Sequence, residues 1–370
     1  MIPAGLKASP FAPNYYNGVD EFIDVNGFAA PLWISSPQEE YDAVRNRVGL
    51  LDSSMLYKFD VEGEGAVETV NAVVTRDLRG VDGSRVVYTA ITDAEGRMVD
   101  DATIIVLAPD HVRVTGSNTR DADLLAAAAP DGVTVREVRD GIAHLCIQGP
   151  RGREVLAAMT DADVSNDAFP YYTWQSLEVA GIPAMVARLG FTAELGYEIS
   201  VPAADGLALY EAAERAGADF EIAGFGGVAL MMMRIEAGMV MGHGQDYDES
   251  ITPFECGLGW AISTEKDFLG REALEALRDE TRGRLVTVEL DSAVEDADGA
   301  PVSIDGDAIG VLTSAIGSPM IGGRTLALAR VDRDHTEPGT AVVVGVDGQE
   351  VGGTVRGTPF YDPDRLRVKA

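Results

Sequence analysis

The sequence predicts an α+β protein made of two ferredoxin-like modules followed by a C-terminal β-barrel. Three observations carry this. The 370 residues exceed what one core ordinarily serves. The element order β-α-β-β-(β)-α-β occurs twice in succession after about residue 56. After about residue 280 the helical patterns stop, and short strand-like runs separated by Gly, Pro and Asp take over.

The elements follow in order. Ser36-Pro37-Gln38-Glu39 is a helix start: serine as N-cap, proline at the first helical position and glutamate three residues after the cap. Tyr41, Val44 and Val48 continue at helical spacing. In the first repeat, LYKFDVEG alternates as a strand and GAVETVNAVVT reads as a helix. SRVVYTAITD and RMVDDATIIVLA are strands joined at Ala94-Glu95-Gly96, and HVRVTG is a third. Asn118-Thr119 caps a helix through Ala129, and VTVREV closes the unit. The second repeat runs from the strand IAHLCIQG and the helix PRGREVLAAMT through the strands SLEVAG, PAMVARLG and YEISVPA. A helix from Ala203 to Ala216 and a strand DFEIAG complete it. An apolar helix from Val228 to Met241 follows. The barrel strands are RLVTVEL, AIGVLTSA, TLALARV, TAVVVGV and EVGGTVR. The expected division is therefore residues 1–55 with 140–245 as one discontinuous module, 56–139 as the second, 246–280 as a connecting segment and 281–370 as the barrel.

Charge narrows the function classes. The net charge is −31, from 60 acidic and 29 basic residues, and only Lys7, Lys58, Lys266 and Lys369 are lysines. Such a surface repels phosphate backbones and anionic lipid, which argues against nucleic-acid and membrane partners. The acidic residues are spread along the chain, as in a solvated coat of the kind that an acidic, salt-adapted proteome carries. A high-GC, arginine-rich origin is the alternative. No apolar run reaches the length of a membrane span, and Met1 to Pro10 lack the order of a signal peptide, so a cytoplasmic protein is expected. Cys146 and Cys256 sit in apolar settings and read as reduced core residues. His111, His144, His243 and His335 have no zinc-ligand spacing, and no metal is expected.

Four local features bear on chemistry. Gly224-Phe225-Gly226-Gly227-Val228-Ala229 matches the dinucleotide form G-x-G-x-x-A. The chain beyond it lacks the strand–helix alternation of a Rossmann fold, so a close helix–strand packing turn is the better reading. Met231-Met232-Met233 places sulfur on several faces of one helix, as core filling does. Arg234 and Glu236 interrupt that helix, and charges so placed are ordinarily paired or functional. Asp100-Asp101 stands in a strand, where neighbours face opposite ways. One carboxylate is then expected toward solvent and the other toward the interior or a cleft, either as a polar strand edge or as a general base. Glu198, bracketed by Gly196-Tyr197 and Ile199, is either an exposed strand position or an acceptor for a flat, donor-rich ligand.

A family resemblance runs along nearly the whole chain. Its pieces are Phe22 to Asp52, with Asp24, Gly27, Pro31, Ala43-Val44-Arg45 and Val48-Gly49; Tyr88 followed by Glu95-Gly96-Arg97-Met98-Val99-Asp100-Asp101; Gln148-Gly149-Pro150; and Tyr171-Tyr172. It continues through Phe191-Thr192 to Gly196-Tyr197-Glu198, Arg234-Ile235-Glu236-Ala237-Gly238, Gly244-Gln245-Asp246, Asp267 to Leu274, Thr313-Ser314, Ser318-Pro319 and Pro359-Phe360-Tyr361. Together they resemble the folate-binding aminomethyltransferases, the glycine cleavage T-protein family. That resemblance implies the modules and barrel surround a central folate cavity, with tetrahydrofolate as cofactor. By position it implies Asp101 as the catalytic carboxylate beside the folate N5. Tyr88, Thr115, Tyr171 and Phe191 would line the pterin site, and Glu198 would bind the pterin edge.

The chain departs from the family pattern at four places. Phe191 stands where a tyrosine is usual, Thr115 where an asparagine is, and Leu230 where an arginine is. One extra residue brings in Met241-Gly242-His243. Leu230 and His243 are thereby candidates for the donor side. These changes favour a small-molecule methyl donor, and so a demethylase that moves a methyl group to N5. The alternatives are an aminomethyltransferase served by a lipoyl carrier protein, and a non-catalytic folate-binding regulator.

Overall fold

In the computed structural model, residues 2–81, 83–242 and 244–370 are described. His243 lies outside the described residues.

The first helix, Pro37–Asn46, starts as its sequence requires. The Ser36 hydroxyl accepts from the Glu39 N–H at 3.3 Å and donates to the Glu39 carboxylate at 3.1 Å. Its buried Glu40 ties three other backbones to the helix, accepting from the N–H groups of Ile34 (2.5 Å), Ser35 (2.8 Å) and Gly226 (2.8 Å).

Two sheets and a barrel carry the rest. A five-stranded antiparallel sheet has the spatial order Val86–Thr92, Met98–Ala108, His111–Gly116, Tyr57–Glu62, Thr134–Glu137. Helices Ala66–Val73 and Arg120–Ala128 pack on it, burying Phe59, Val61, Val70, Ile104, Val114 and Leu125. A six-stranded sheet has the order Trp174–Val179, Ile182–Ala187, Gly196–Pro202, Ile142–Gln148, Gly49–Asp52, Ala223–Gly224. The N-terminal region thus donates a strand to a sheet built mainly from residues about 100 positions later. Six strands from Gly283–Leu290 to Gln349–Arg356 close into a barrel, because Gly283–Leu290 pairs with both Thr325–Asp332 and Gln349–Arg356. Closure leaves no free sheet edge. The α+β class and the terminal barrel are those the sequence predicts.

Two elements differ from expectation. The apolar helix is Gly227–Glu236 and does not reach Met241. Gly238 adopts φ +66°, and the Met239 N–H bonds back to the Arg234 carbonyl at 2.9 Å, the left-handed C-cap that glycine makes cheap. The stretch DFEIAG contributes only Ala223–Gly224 as strand, since Ala218–Phe220 is a 3₁₀ turn and Glu221 has φ +51°. The glycine run that begins at Gly224 is a packing turn, as read from the sequence. A Cβ on Gly226 would stand 2.6 Å from the Leu32 carbonyl oxygen.

The charges in the apolar helix are paired across the molecule. Arg45 meets Glu236 at 2.6 Å and Glu194 at 3.1 Å. Arg234 forms a fully buried ion pair with Asp246, whose carboxylate also accepts from Thr313 and Ser314 of the barrel at 2.6 Å each. Through Asp246, the Arg234 pair ties the barrel to the helix.

Candidate active site

A cavity of about 1310 Å³ lies where the two sheets, the apolar helix and the barrel meet. Tyr88, Asp101, Thr115, Tyr171, Phe191, Glu198 and Leu230, spread over more than 140 positions of sequence, all line it. The sequence candidates other than His243 are therefore brought to one place.

Asp101 is held by two phenols. The Tyr88 hydroxyl donates to its Oδ2 at 2.8 Å, and the Tyr247 hydroxyl donates to its Oδ1 while accepting from the Asp101 N–H at 3.0 Å. Burial, and next the charge of Asp100, push its carboxyl up to about 7; the two tyrosine hydrogen bonds pull the other way. A carboxyl so placed exchanges a proton near neutrality, which is what a general base at this pH requires. Tyr88 is fixed in turn by Trp260, its ring stacked 6.0 Å away.

Asp100 does not face solvent, contrary to the alternation argument. It is 1% exposed, and it accepts from the Ser117 N–H and hydroxyl at 2.5 Å each and from the Asn118 N–H at 3.0 Å. Asp101 lines the cavity and Asp100 does not, although the Tyr247 hydroxyl also lies 3.3 Å from Asp100 Oδ1. Asp100 is covered by the turn that leads into helix Arg120–Ala128. Asp121 lies beside Asp100, and burial followed by that neighbouring charge raises it well above the carboxylate range.

The wall across from Asp101 is aromatic and then apolar. Tyr171 and Tyr172 meet edge to face at 4.7 Å, and Tyr172 adopts φ +61°. Leu230, Met231, Met239 and Met241 make an apolar patch. Thr115 reaches the cavity from the strand that pairs with both Thr103 and Lys58.

Glu198 comes from the strand Gly196–Pro202 and shares a hydrogen bond with His144 Nε2 at 3.1 Å. Burial lowers the His144 imidazole below its usual range. Lys58, completely buried nearby, is pushed down to about 7 by burial, and its Nζ donates to the carbonyls of Ser53 (3.1 Å) and Leu56 (3.0 Å).

Among the described residues two donor sets could hold a cation: His144 with Cys146 and Glu198, and Asp60 with Glu62 and His111. In the first, burial pushes the Cys146 thiol well up, and the buried Lys58 side chain lies close by. In the second, Asp60 is already engaged by Arg113 at 2.7 Å. Both factors weigh against a metal.

The sequence reading missed Tyr247, Trp260 and His144. Tyr247 and Trp260 lie in the connecting segment and reach the site only through tertiary folding. His144 had a local signal, a polar ring in the otherwise apolar run IAHLCIQ.

Comparison with known proteins identifies the family. The GCVT N-terminal domain family matches residues 12–266, and the glycine cleavage T-protein C-terminal barrel domain matches residues 284–362. An aminomethyltransferase of Streptomyces avermitilis is 35% identical over 91% of this chain and 93% of its own length. A trimethylamine-oxide aldolase of Ruegeria pomeroyi is 33% identical over the whole chain, which spans 48% of that protein. The crystal structure of aminomethyltransferase T from Bartonella henselae superposes with a TM-score of 0.85 at 24% identity, covering 96% of this chain and 98% of that one, a likeness of fold. Among the described residues no helix is long and apolar enough to cross a membrane. The chain belongs to the glycine cleavage T-protein family, whose aminomethyltransferases bind tetrahydrofolate, and is a folate-dependent one-carbon transferase.

Proposed function

We propose that this enzyme moves a one-carbon unit at the oxidation level of formaldehyde, presented as an aminomethyl group, to tetrahydrofolate, with Asp101 as its base. The observation that carries the reading is the Asp101 carboxyl, held on the cavity wall by Tyr88 and Tyr247 and poised near pH 7. The relatives add direction. Those named aminomethyltransferase match almost end to end. The Ruegeria relative is named an aldolase, and this chain spans 48% of its length. Aminomethyl transfer therefore takes precedence over the methyl transfer that the sequence departures favoured.

The residues present suit the cofactor. A pterin is flat and offers adjacent N–H groups along one edge. The cavity supplies the aromatic faces of Tyr171, Tyr172 and Phe191, and Glu198 is one of the carboxylates that line it. Tetrahydrofolate, when bound, supplies the nucleophilic nitrogen that accepts the carbon. As the carbon's bonds to the donor's sulfur and nitrogen break, releasing the carrier thiol and ammonia, Asp101 takes or holds the nitrogen-borne proton. Tyr88 and Tyr247 keep its oxygens aimed, and the apolar wall excludes water, which strengthens those interactions.

A second reading keeps a methyl donor. It is favoured by the patch of Leu230, Met231, Met239 and Met241, which presents no cation where an arginine is usual in the family. A small methylated onium compound would sit there with aromatic faces nearby. One experiment separates the two. Purified enzyme receives tetrahydrofolate with either an aminomethyl-loaded lipoyl carrier protein or a small methylated donor, and the folate product is identified. The 5,10-methylene product from the carrier supports the main reading; 5-methyl product from the small donor alone overturns it in favour of the second.

A further inference from the structure

The His144–Glu198 pair has a geometry that the proton chemistry at Asp101 does not use. His144 and Cys146 lie two apart on the strand Ile142–Gln148, so they share a face, and Glu198 is the cross-strand partner of Cys146. Glu198 lines the cavity; His144, 4% exposed, stands behind it. The carboxylate can only accept, so the hydrogen in the 3.1 Å bond to Oε2 belongs to His144 Nε2. The other ring nitrogen, Nδ1, is buried and has no hydrogen-bond partner among the described residues. A proton there would be an orphaned buried donor, so the ring is the neutral Nε2–H tautomer. Glu198 Oε1 has no donor among the described residues.

We propose that His144 is a positioning residue for folate: it pins Oε2 of Glu198 and so presents Oε1 to the N–H edge of the pterin. This rests on Glu198 being the pterin acceptor. A floppy glutamate would have to be ordered each time folate binds; one held from behind is already set. The neutral tautomer also matters. Burial lowers the imidazole and so favours the neutral ring with its single donor; Lys58 and Asp101, which titrate near 7, are common to wild type and the His144 variants, so the variants are compared with wild type at each pH.

The test uses three variants of the full chain, each checked by its melting curve. His144→Gln keeps an N–H donor at similar reach, His144→Leu removes it, and Glu198→Gln removes the carboxylate. Calorimetric Kd for tetrahydrofolate and steady-state KM and kcat are measured between pH 6 and 8. The expected result is a rise in Kd and KM of roughly tenfold for His144→Leu, with kcat little changed and with His144→Gln close to wild type. Wild-type Kd for a folded His144→Leu, alongside weakened Glu198→Gln, overturns the role of His144 alone. Wild-type Kd for Glu198→Gln overturns instead the underlying assignment of Glu198. Should His144→Leu not fold, a His144→Gln that folds but binds at least tenfold more weakly, across the whole pH range, also overturns the proposal. Stoichiometric binding of zinc alone that is lost in both His144 variants would make the ring a metal ligand, and likewise overturn it.

Discussion

The Tyr247 hydroxyl donates to Oδ1 of Asp101 and accepts from the backbone N–H of the same residue, so one side chain fixes both the carboxylate and the strand that carries it. Tyr88 completes the hold from the neighbouring strand. The carboxyl is left with a defined direction and an unfavourable surrounding for its charge, and predictions follow from that conflict.

Replacing Asp101 by Asn keeps its volume and one of the two oxygens that accept from the phenols but removes the base. Turnover should fall by roughly 10²–10⁴-fold. Tetrahydrofolate affinity, measured by calorimetry, should change far less because Glu198 is a separate contact. Full activity in Asp101→Asn would remove the residue from the mechanism.

The pH dependence has a definite sign. The folded Asp101 pKa, about 7, lies above the unfolded carboxyl value, so the native state binds this proton more tightly. Its contribution to stability is present below the unfolded value near 4 and is lost as pH rises through about 7. Activity runs the opposite way, rising with pH as the base form appears. Tyr247→Phe removes a hydrogen bond that favours the charged form, so the inflection in kcat against pH should move above that of wild type. A downward shift or none would mean that the phenol does not stabilise the carboxylate.

Asp100→Asn should not be silent, as a solvent-facing residue would be. The carboxylate caps the Ser117–Asn118 turn through three hydrogen bonds. The amide can replace only part of that acceptor set, and a loss of about 1–3 kcal/mol is expected. Chemical denaturation measures it. The lost like charge should also lower the Asp101 inflection, opposite to the effect of Tyr247→Phe.

Asp246→Ala strands the Arg234 guanidinium, which is 0% exposed, and also unties Thr313 and Ser314 of the barrel. Leaving one member of a buried ion pair uncompensated costs about 3–5 kcal/mol. The double variant Arg234→Met with Asp246→Ala should recover part of that loss. A single variant as stable as wild type would show that the clamp contributes little.

The sequence by itself determined the fold class, the barrel and the candidate residues of the cavity, because each depends on short-range signals or on a motif. Strand alternation, the Ser36 cap and the run from Tyr88 to Asp101 are local, and so is the polar break at Glu198. The tertiary structure decided what those residues touch. Whether Asp100 faced water depended on the turn at Ser117 folding over it. Tyr247 and Trp260 reached the site from a connecting segment whose own periodicity says nothing about a cavity. The end of the apolar helix at Glu236 was set by Gly238 in a left-handed cap and by Arg234 turning inward to Asp246. The pKa of Asp101 was set in the same way. It is a property of the low-dielectric space made by two sheets and a barrel, and of a like charge one residue away, and only folding brings that environment into being.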